Sequence, residues 1–183
     1  MSILIMDDLA TYLLDIVQNS IQAKASMIQL SVVEEDELKI KVIDNGIGMS
    51  DTVLAQVTSP FYTTRTTRRV GLGLPLIKML CEQTDGDFRL ESTEGLGTSL
   101  YLMMHHHHLD MPPIGNLGEM IYTISIHQDV SEFIFTYESR QNKYTYQLSE
   151  IKRIFGQTLT TYSIMQGLID HINQEIELRR GGL

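Results

Sequence analysis

The chain has 183 residues, of which 43% are hydrophobic, and this length allows one core of about 110 residues with a smaller appendage. Its formal net charge of -9 excludes nucleic-acid binding through a bulk basic face. The single cysteine, Cys81, excludes an internal disulfide, and the apolar run at residues 3–6 is too short for a signal peptide or a membrane span. We therefore expect a soluble, cytoplasmic protein that has neither nucleic-acid nor membrane partners.

A long amphipathic helix is predicted over residues 8–25, where the apolar residues keep helical spacing. Asp15 and Asn19 lie one turn apart on it, in a polar stripe that also contains Gln18 and Gln22. Such a stripe is typical of a solvated helix face. A carboxylate and an amide at this spacing could also meet a hydrated cation together with its phosphates.

Two alternating apolar runs follow, at residues 28–32 and 38–42, with a polar turn predicted at residues 34–37. They indicate a β-hairpin with one buried face. The second strand leads directly to Asp44, which therefore lies where a strand ends and the chain must turn.

The segment of residues 44–49 reads Asp-Asn-Gly-Ile-Gly-Met. Gly46 and Gly48 permit positive φ angles and close approach of a flat ligand, while Asp44 supplies a fixed acceptor. This combination is typical of a purine pocket. On this segment alone an ordinary hairpin turn is favoured, because Asx residues and glycine dominate turns for steric reasons.

A short helix with Ser50 as its N-cap is predicted next. Residues 59–69 then show no period and carry hydroxyl groups and three arginines, before the glycine-rich residues 70–74 open another helix. A glycine-rich helix start offers backbone N–H groups to an anion, and Pro75 fits in the first turn. Helix-opening glycines are common, however, and a charge run is more often merely solvated.

Residues 88–90 and 100–102 predict two further strands, joined by a turn with two glycines. The order of elements indicates a layered α+β sandwich. The row from His105 to His108 favours a hydrophilic strand end over a metal site, because adjacent side chains on an extended chain point to opposite faces.

Pro112, Pro113 and Gly115 mark a boundary between a first domain, residues 1–110, and an extension, residues 111–183. In the extension we predict a small three-stranded α+β unit that serves interaction, including self-association as a homodimer. Aromatic residues on one strand face could cover the first domain or a second copy of the chain. The predicted strands are residues 121–126, 133–137 and 144–148, the helices are residues 149–155 and 162–178, and the aromatic residues are Phe133, Phe135 and Tyr137.

Four motifs in this order resemble the nucleotide-binding domain of the GHKL superfamily, which contains gyrase, the ninety-kilodalton heat-shock chaperone, sensor histidine kinases and the mismatch-repair ATPase. Residues 14–23 resemble its N box, 44–49 its first glycine box, 70–74 its second, and 95–99 its closing Gly-x-Gly-Thr turn. The resemblance covers about residues 8–104. Residues 59–62, Ser-Pro-Phe-Tyr, are most similar to the histidine-kinase branch.

The resemblance implies the two-layer α/β sandwich of the GHKL (Bergerat) type, with ATP and Mg²⁺ as ligands. In it, Asp44 accepts the adenine amino group, Thr98 supports that contact, and Asn19 holds Mg²⁺. The glycines of the second box meet the phosphates. The implied ATP-binding residues are Asn19, Asp44, Gly46, Gly48, Met49, Thr63, Thr64, Arg65, Gly71, Leu72, Gly73, Leu74 and Thr98.

The same resemblance implies that residues 58–70 form a lid over the phosphates. Because this segment lacks apolar periodicity, we expect it to be mobile without nucleotide and ordered by ATP. Arg65, Arg68 and Arg69 are candidates to meet the γ-phosphate, and Arg65 is favoured because it continues the lid motif.

Two departures from the family pattern bear on the chemistry. Hydrolytic branches carry a glutamate general base four residues before the asparagine, and this chain has Asp15 there, one methylene shorter. Histidine kinases carry a phosphoacceptor helical pair before the ATP domain, whereas few residues precede the N box here, so we expect the acceptor on another chain.

The predicted function is a Mg²⁺-dependent ATPase or protein kinase acting on a separate protein. The alternative is a non-catalytic module in which ATP switches a surface for a partner.

Overall fold

The computed structural model of the protein describes residues 8–58, 73–140 and 142–181. Helices and strands are interspersed along the chain without strict alternation. The helices are α1 (Leu9–Gln22), α2 (Asp51–Leu54), α3 (Gly73–Gln83), α4 (Leu117–Ser125), α5 (Leu148–Phe155) and α6 (Tyr162–Arg180), with a 3₁₀ helix at Gly156–Thr160 between the last two. The strands are β1 (Met27–Glu34), β2 (Glu37–Asp44), β3 (Asp87–Thr93), β4 (Gly97–His105), β5 (Glu132–Ser139) and β6 (Asn142–Gln147).

The strands form one sheet in the order β3-β4-β2-β1-β5-β6. All neighbouring pairs are antiparallel except β1 and β5, which run parallel. Alternate residues of β1 and β2 are buried, so one face of the hairpin contributes to the core as its period-two pattern predicts. The predicted α+β sandwich is confirmed.

The segment predicted as a strand at residues 121–126 is a helix, and this prediction is wrong. Helix α4 spans Leu117–Ser125, and the Asn116 side chain caps it by accepting a hydrogen bond from the Glu119 backbone N–H at 2.9 Å. Buried residues along α4 recur at helical spacing, which outweighs the local alternation that suggested a strand. The extension therefore contributes two strands rather than three.

The aromatic side chains of β5 settle how that strand packs. Phe133, Phe135 and Tyr137 each have 0% exposure and belong to the common core. These side chains therefore pack inside their own chain and not against a second copy of it. Self-association through another surface stays a prediction, as does the division of the chain into two domains.

The polar turn predicted at residues 34–37 is shorter than expected, because it contains only residues 35 and 36. Glu34 is instead the last residue of β1. Its carboxylate is buried at 7% exposure and accepts hydrogen bonds from the hydroxyl of Tyr137 on β5 and from Arg180 at the end of α6, with Arg180 Nε 3.0 Å from Glu34 Oε2. The imidazole of His106, just past the end of β4, contributes Nε2 at 3.2 Å from Glu34 Oε1. A carboxylate that leaves water needs such partners, so this cluster fastens α6 to the sheet.

The start of α1 is bound to the chain that follows β4. Asp8 caps the helix, its Oδ1 accepting from the Thr11 backbone N–H at 2.8 Å. The backbone N–H groups of Leu9 and Ala10, at the start of the helix, donate to the carbonyls of Pro113 and Ile114 at 2.9 Å each. The helix that carries Asp15 and Asn19 is thus held in place by residues far away in sequence.

Cys81 gives a direct test of the packing between α3 and the sheet. Its side chain is 0% exposed, and burial raises the pKa of the thiol from 9.0 to about 12. Because the thiolate is the reactive form, its fraction at pH 8 falls about a thousandfold. We expect an aromatic disulfide reagent at pH 8 to label urea-unfolded protein within seconds and native protein only at the rate of transient opening. Native labelling as fast as in urea would contradict the described packing.

Among the helices in the described part of the chain, none combines the length and apolar character needed to cross a bilayer.

Candidate functional site

A cavity of about 880 Å³ lies between α1, the end of β2, the loop after it, the start of α3 and the β3–β4 turn. Apolar side chains such as Ile16, Val42 and Leu100 form much of its wall, with a few polar groups between them. This composition is typical of a small-molecule site. The wall also contains these residues predicted to bind ATP: Asn19, Asp44, Gly46, Gly48, Met49, Leu74 and Thr98.

Asp44 is the buried acceptor of the cavity. It is the last residue of β2 and is 8% exposed. Its Oδ1 accepts from the Gly46 backbone N–H at 2.9 Å, and its Oδ2 accepts from the Ser20 hydroxyl at 2.6 Å. These two bonds fix the carboxylate, and each oxygen keeps lone-pair capacity for a ligand donor.

The two glycines after Asp44 are required by close backbone packing. A Cβ on Gly46 would lie 2.7 Å from the carbonyl oxygen of Ala23 at the end of α1. Gly48 has φ +64°, and a Cβ there would lie 2.0 Å from the Thr93 carbonyl oxygen. The loop is therefore pressed between α1 and the β3–β4 turn, and only glycine fits at these contacts.

The β3–β4 turn closes the same end of the cavity. Thr98 on β4 lies directly opposite Asp44 on β2 and, across its other edge, directly opposite Ser92 on β3. Gly97 has φ +115°, and a Cβ on it would lie 2.0 Å from the Asp44 carbonyl oxygen. The glycine thus lets the turn approach the strand end so closely that Thr98 and Asp44 face one ligand position.

Asp15 lies beside the start of α3 rather than in the wall of the cavity. Its Oδ2 occupies the space next to Gly73, since a Cβ on that residue would lie 2.0 Å from this oxygen. Gly73 is the first residue of α3, and Leu74, which follows it, belongs to the cavity wall together with Asn19. The arrangement places the Asp15 carboxylate against a helix N-terminus, where backbone N–H groups attract anions.

Five of the predicted site residues, Thr63, Thr64, Arg65, Gly71 and Leu72, lie outside the described residues. Of the predicted lid, residues 59–70, with Arg68 and Arg69, also lie outside them.

Three residues of the site escaped sequence reasoning: Ser20, Ser92 and Asn45. Ser20 follows Asn19 on α1 and bonds to Asp44, while Ser92 bonds to Thr98 at 2.9 Å. Asn45 anchors the glycine loop, its Oδ1 accepting from the backbone N–H groups of Ser26 and Met27 at 2.9 Å each. The signal that could have marked Ser20 is a polar residue inside the buried stripe of a helix. Asn45 lies inside the glycine segment 44–49, and Ser92 has no comparable local signal.

A strong match relates this site to a known family. The model of the family described as "Histidine kinase-, DNA gyrase B-, and HSP90-like ATPase" matches residues 6–108, more than half of the chain. The match includes Asp15, Asn19, the glycine loop and the β3–β4 turn.

Curated relatives give the same indication. Sensor protein kinase FleS of Pseudomonas aeruginosa is 38% identical over 101 residues, which are 54% of this chain and 25% of that protein. Sporulation kinase E of Bacillus subtilis is 30% identical over 95 residues, which are 50% of this chain and 13% of that protein. The chain therefore spans a quarter or less of the length of these two relatives.

A crystal structure of the N-terminal domain of a DNA repair protein shares the fold. The two align with a TM-score of 0.54 and 19% sequence identity, over 77% of this chain and 52% of that one. Together with the buried acceptor, the glycine loop and the helix start around one cavity, the family match shows that the chain belongs to the histidine kinase-, DNA gyrase B- and HSP90-like ATPases.

Proposed function

We propose that this chain binds Mg-ATP in the cavity and either hydrolyses it or transfers its γ-phosphoryl group to a separate protein. Membership of the family supports ATP binding and a kinase-like ATPase activity. The observation that carries the proposal is the pairing of Asp44 with Thr98 at one end of a mostly apolar cavity, with a helix N-terminus at its wall.

The polar end of the cavity suits adenine. Asp44 accepts two hydrogen bonds from the protein and retains acceptor capacity, and the ring of a purine would lie against apolar wall residues such as Ile16, Val42 and Leu100. An exocyclic amino group supplies two N–H donors to such acceptors. The contact is made in a buried setting, where an unsatisfied polar group is costly, and it therefore selects the base strongly.

The phosphates are assigned to the start of α3. Gly73 begins this helix, and its missing Cβ leaves backbone and the Asp15 carboxylate close together. Helix N-termini bind phosphate through free N–H groups and the positive end of the helix dipole. A triphosphate that runs from the Asp44 end toward Leu74 would bring its terminal group to this side of α1.

Asn19 suits a role in holding Mg²⁺, because its side chain is of the oxygen-donor type that hard cations take and because it belongs to the same cavity wall as Leu74. Bound there with the phosphates, the ion would neutralise part of their negative charge. Asp15, one turn before Asn19 on α1, is the proposed general base that orients and deprotonates the nucleophile. Its carboxylate reaches the start of α3 although it is shorter than glutamate, because Gly73 offers no side chain in its way.

Calorimetry and product analysis test the proposal. Titration of ATP into the chain in Mg²⁺ should show saturable one-site binding, and binding should weaken when EDTA removes the metal. Radiolabelled γ-phosphate should then appear either as free phosphate or on an added protein fraction. No heat of binding at millimolar ATP would refute the nucleotide site. Tight binding without release or transfer would refute the enzymatic assignment and favour a module that ATP switches between partner-binding states.

A further inference from the structure

The hydroxyl of Ser92 makes three hydrogen-bond contacts next to Thr98, a residue of the cavity wall. Its Oγ accepts a hydrogen bond from the Met49 backbone N–H at 2.9 Å and donates to the Gly97 carbonyl oxygen at 3.0 Å. It also lies 2.9 Å from Oγ1 of Thr98. One half-buried side chain on β3 therefore ties together the glycine loop, the β3–β4 turn and the threonine beside Asp44.

The three contacts of Ser92 limit where the protons can lie. A serine hydroxyl has one proton and two lone pairs. The contact with Gly97 needs the Ser92 proton, because a carbonyl oxygen has no proton of its own to give. All three contacts are satisfied together only when Thr98 is the donor in the contact between the two hydroxyls.

This direction decides what Thr98 offers to a ligand. Having donated its only proton to Ser92, Oγ1 of Thr98 presents lone pairs to the cavity, whose wall it helps to form. Asp44, directly opposite, is also an acceptor, since the Ser20 hydroxyl and the Gly46 N–H both donate to it. The polar end of the cavity consequently presents two neighbouring acceptors.

We propose that Ser92 is a positioning residue for base selectivity: by holding Thr98 as an acceptor, it makes the site accept a 6-amino purine and reject a 6-oxo purine. A 6-amino group can donate to both acceptors, whereas a 6-oxo group places a third acceptor against them and leaves the purine only its N1–H as a donor on that edge. The inference rests on the proposed nucleotide site and adds to it a residue that acts on the ligand only through Thr98.

Three nucleotides separate this role from general support of the loop. ATP carries a 6-amino group, inosine triphosphate carries a 6-oxo group, and purine riboside triphosphate carries hydrogen at that position. In Ser92→Ala, Thr98 loses the acceptor for its proton and becomes able to donate to a 6-oxo group. We expect the ratio of ATP to inosine triphosphate affinity, measured by calorimetry, to fall about tenfold, the value of one neutral hydrogen bond.

Matched variants complete the design. Ser92→Thr keeps the hydroxyl on a strand that tolerates β-branching, so the wild-type ratio should be retained. Thr98→Val removes the hydroxyl through which Ser92 acts, and adding Ser92→Ala to it should leave the ratio unchanged. If Ser92→Ala does not fold, Ser92→Cys replaces it, and its weaker donor and acceptor should give a reduced ratio.

The outcomes are separable. Equal weakening of all three nucleotides in Ser92→Ala, or a change of ratio that persists in the Thr98→Val background, would overturn the role of Ser92 while leaving ATP binding intact. A wild-type chain that binds ATP and inosine triphosphate equally would do the same. A wild-type chain that binds none of the three would overturn the nucleotide site itself, together with this inference.

Discussion

Asp44→Asn is expected to weaken ATP binding about a hundredfold, because it removes a charged acceptor from a buried site, a loss of about 2 to 3 kcal/mol. The variant should still fold. An asparagine amide can donate to the Ser20 hydroxyl and accept from the Gly46 N–H, which are the two partners that hold the native carboxylate. What it cannot do is offer the adenine amino group an anionic oxygen.

The measurement is calorimetric titration of ATP, with thermal unfolding in the absence of nucleotide as a check on the fold. Asp36→Asn is the matched control, because it removes one negative charge at a position outside the cavity wall. Asp36 is exposed in the turn between β1 and β2. ATP affinity equal to that of the control would show that Asp44 does not contact the base.

Asp15→Asn is expected to lower ATP turnover by about a hundredfold or more while changing ATP affinity little. A positioned general base contributes roughly 10²- to 10⁴-fold to a rate, and it acts on the transition state rather than on the bound ground state. The amide has nearly the same shape as the carboxylate, so it still fits in the space beside Gly73. A selective loss of rate is thus the signature of the assigned role.

Phosphate release at saturating ATP measures the rate, and calorimetry measures the affinity. Asp129→Asn, at an exposed position after α4, makes the same chemical change far from the site in sequence and serves as control. Weaker binding with an unchanged rate at saturation would instead make Asp15 part of the metal site. Equal rates in variant and control would remove Asp15 from the chemistry.

The sequence predicted those parts of the fold in which the residue pattern of a single segment is enough to identify its structure. The β1–β2 hairpin followed from alternation, and the burial of alternate residues in both strands matches it. Asp44 was found because it stands where a strand ends and glycines begin. In residues 121–126 the alternating and helical patterns overlap, and the cap at Asn116, which decides for the helix, lies outside that window.

Other features were beyond sequence reasoning because their partners are distant along the chain. Glu34 is predicted to lie in a polar turn. Its carboxylate can be buried because it meets Tyr137, Arg180 and His106, all of which lie far along the chain. Ser92 and Thr98 are six residues apart, but their contact depends on the register of β3 against β4. Serine is common in strands and turns, so nothing in the local sequence marks this one as part of a nucleotide site.

The parallel pairing of β1 with β5 has a consequence for how the protein can be divided. The family match ends at residue 108, yet β1 is an interior strand only because β5, at Glu132–Ser139, covers its second edge. A fragment cut at the homology boundary would leave the backbone groups of β1 open beside a row of apolar side chains, and it would lose the carbonyls of Pro113 and Ile114 that hold the start of α1. Such an edge recruits other strands. Aggregation of that fragment would therefore be a result of the strand edge that the truncation exposes. The oligomeric state of the protein has to be measured on the intact chain.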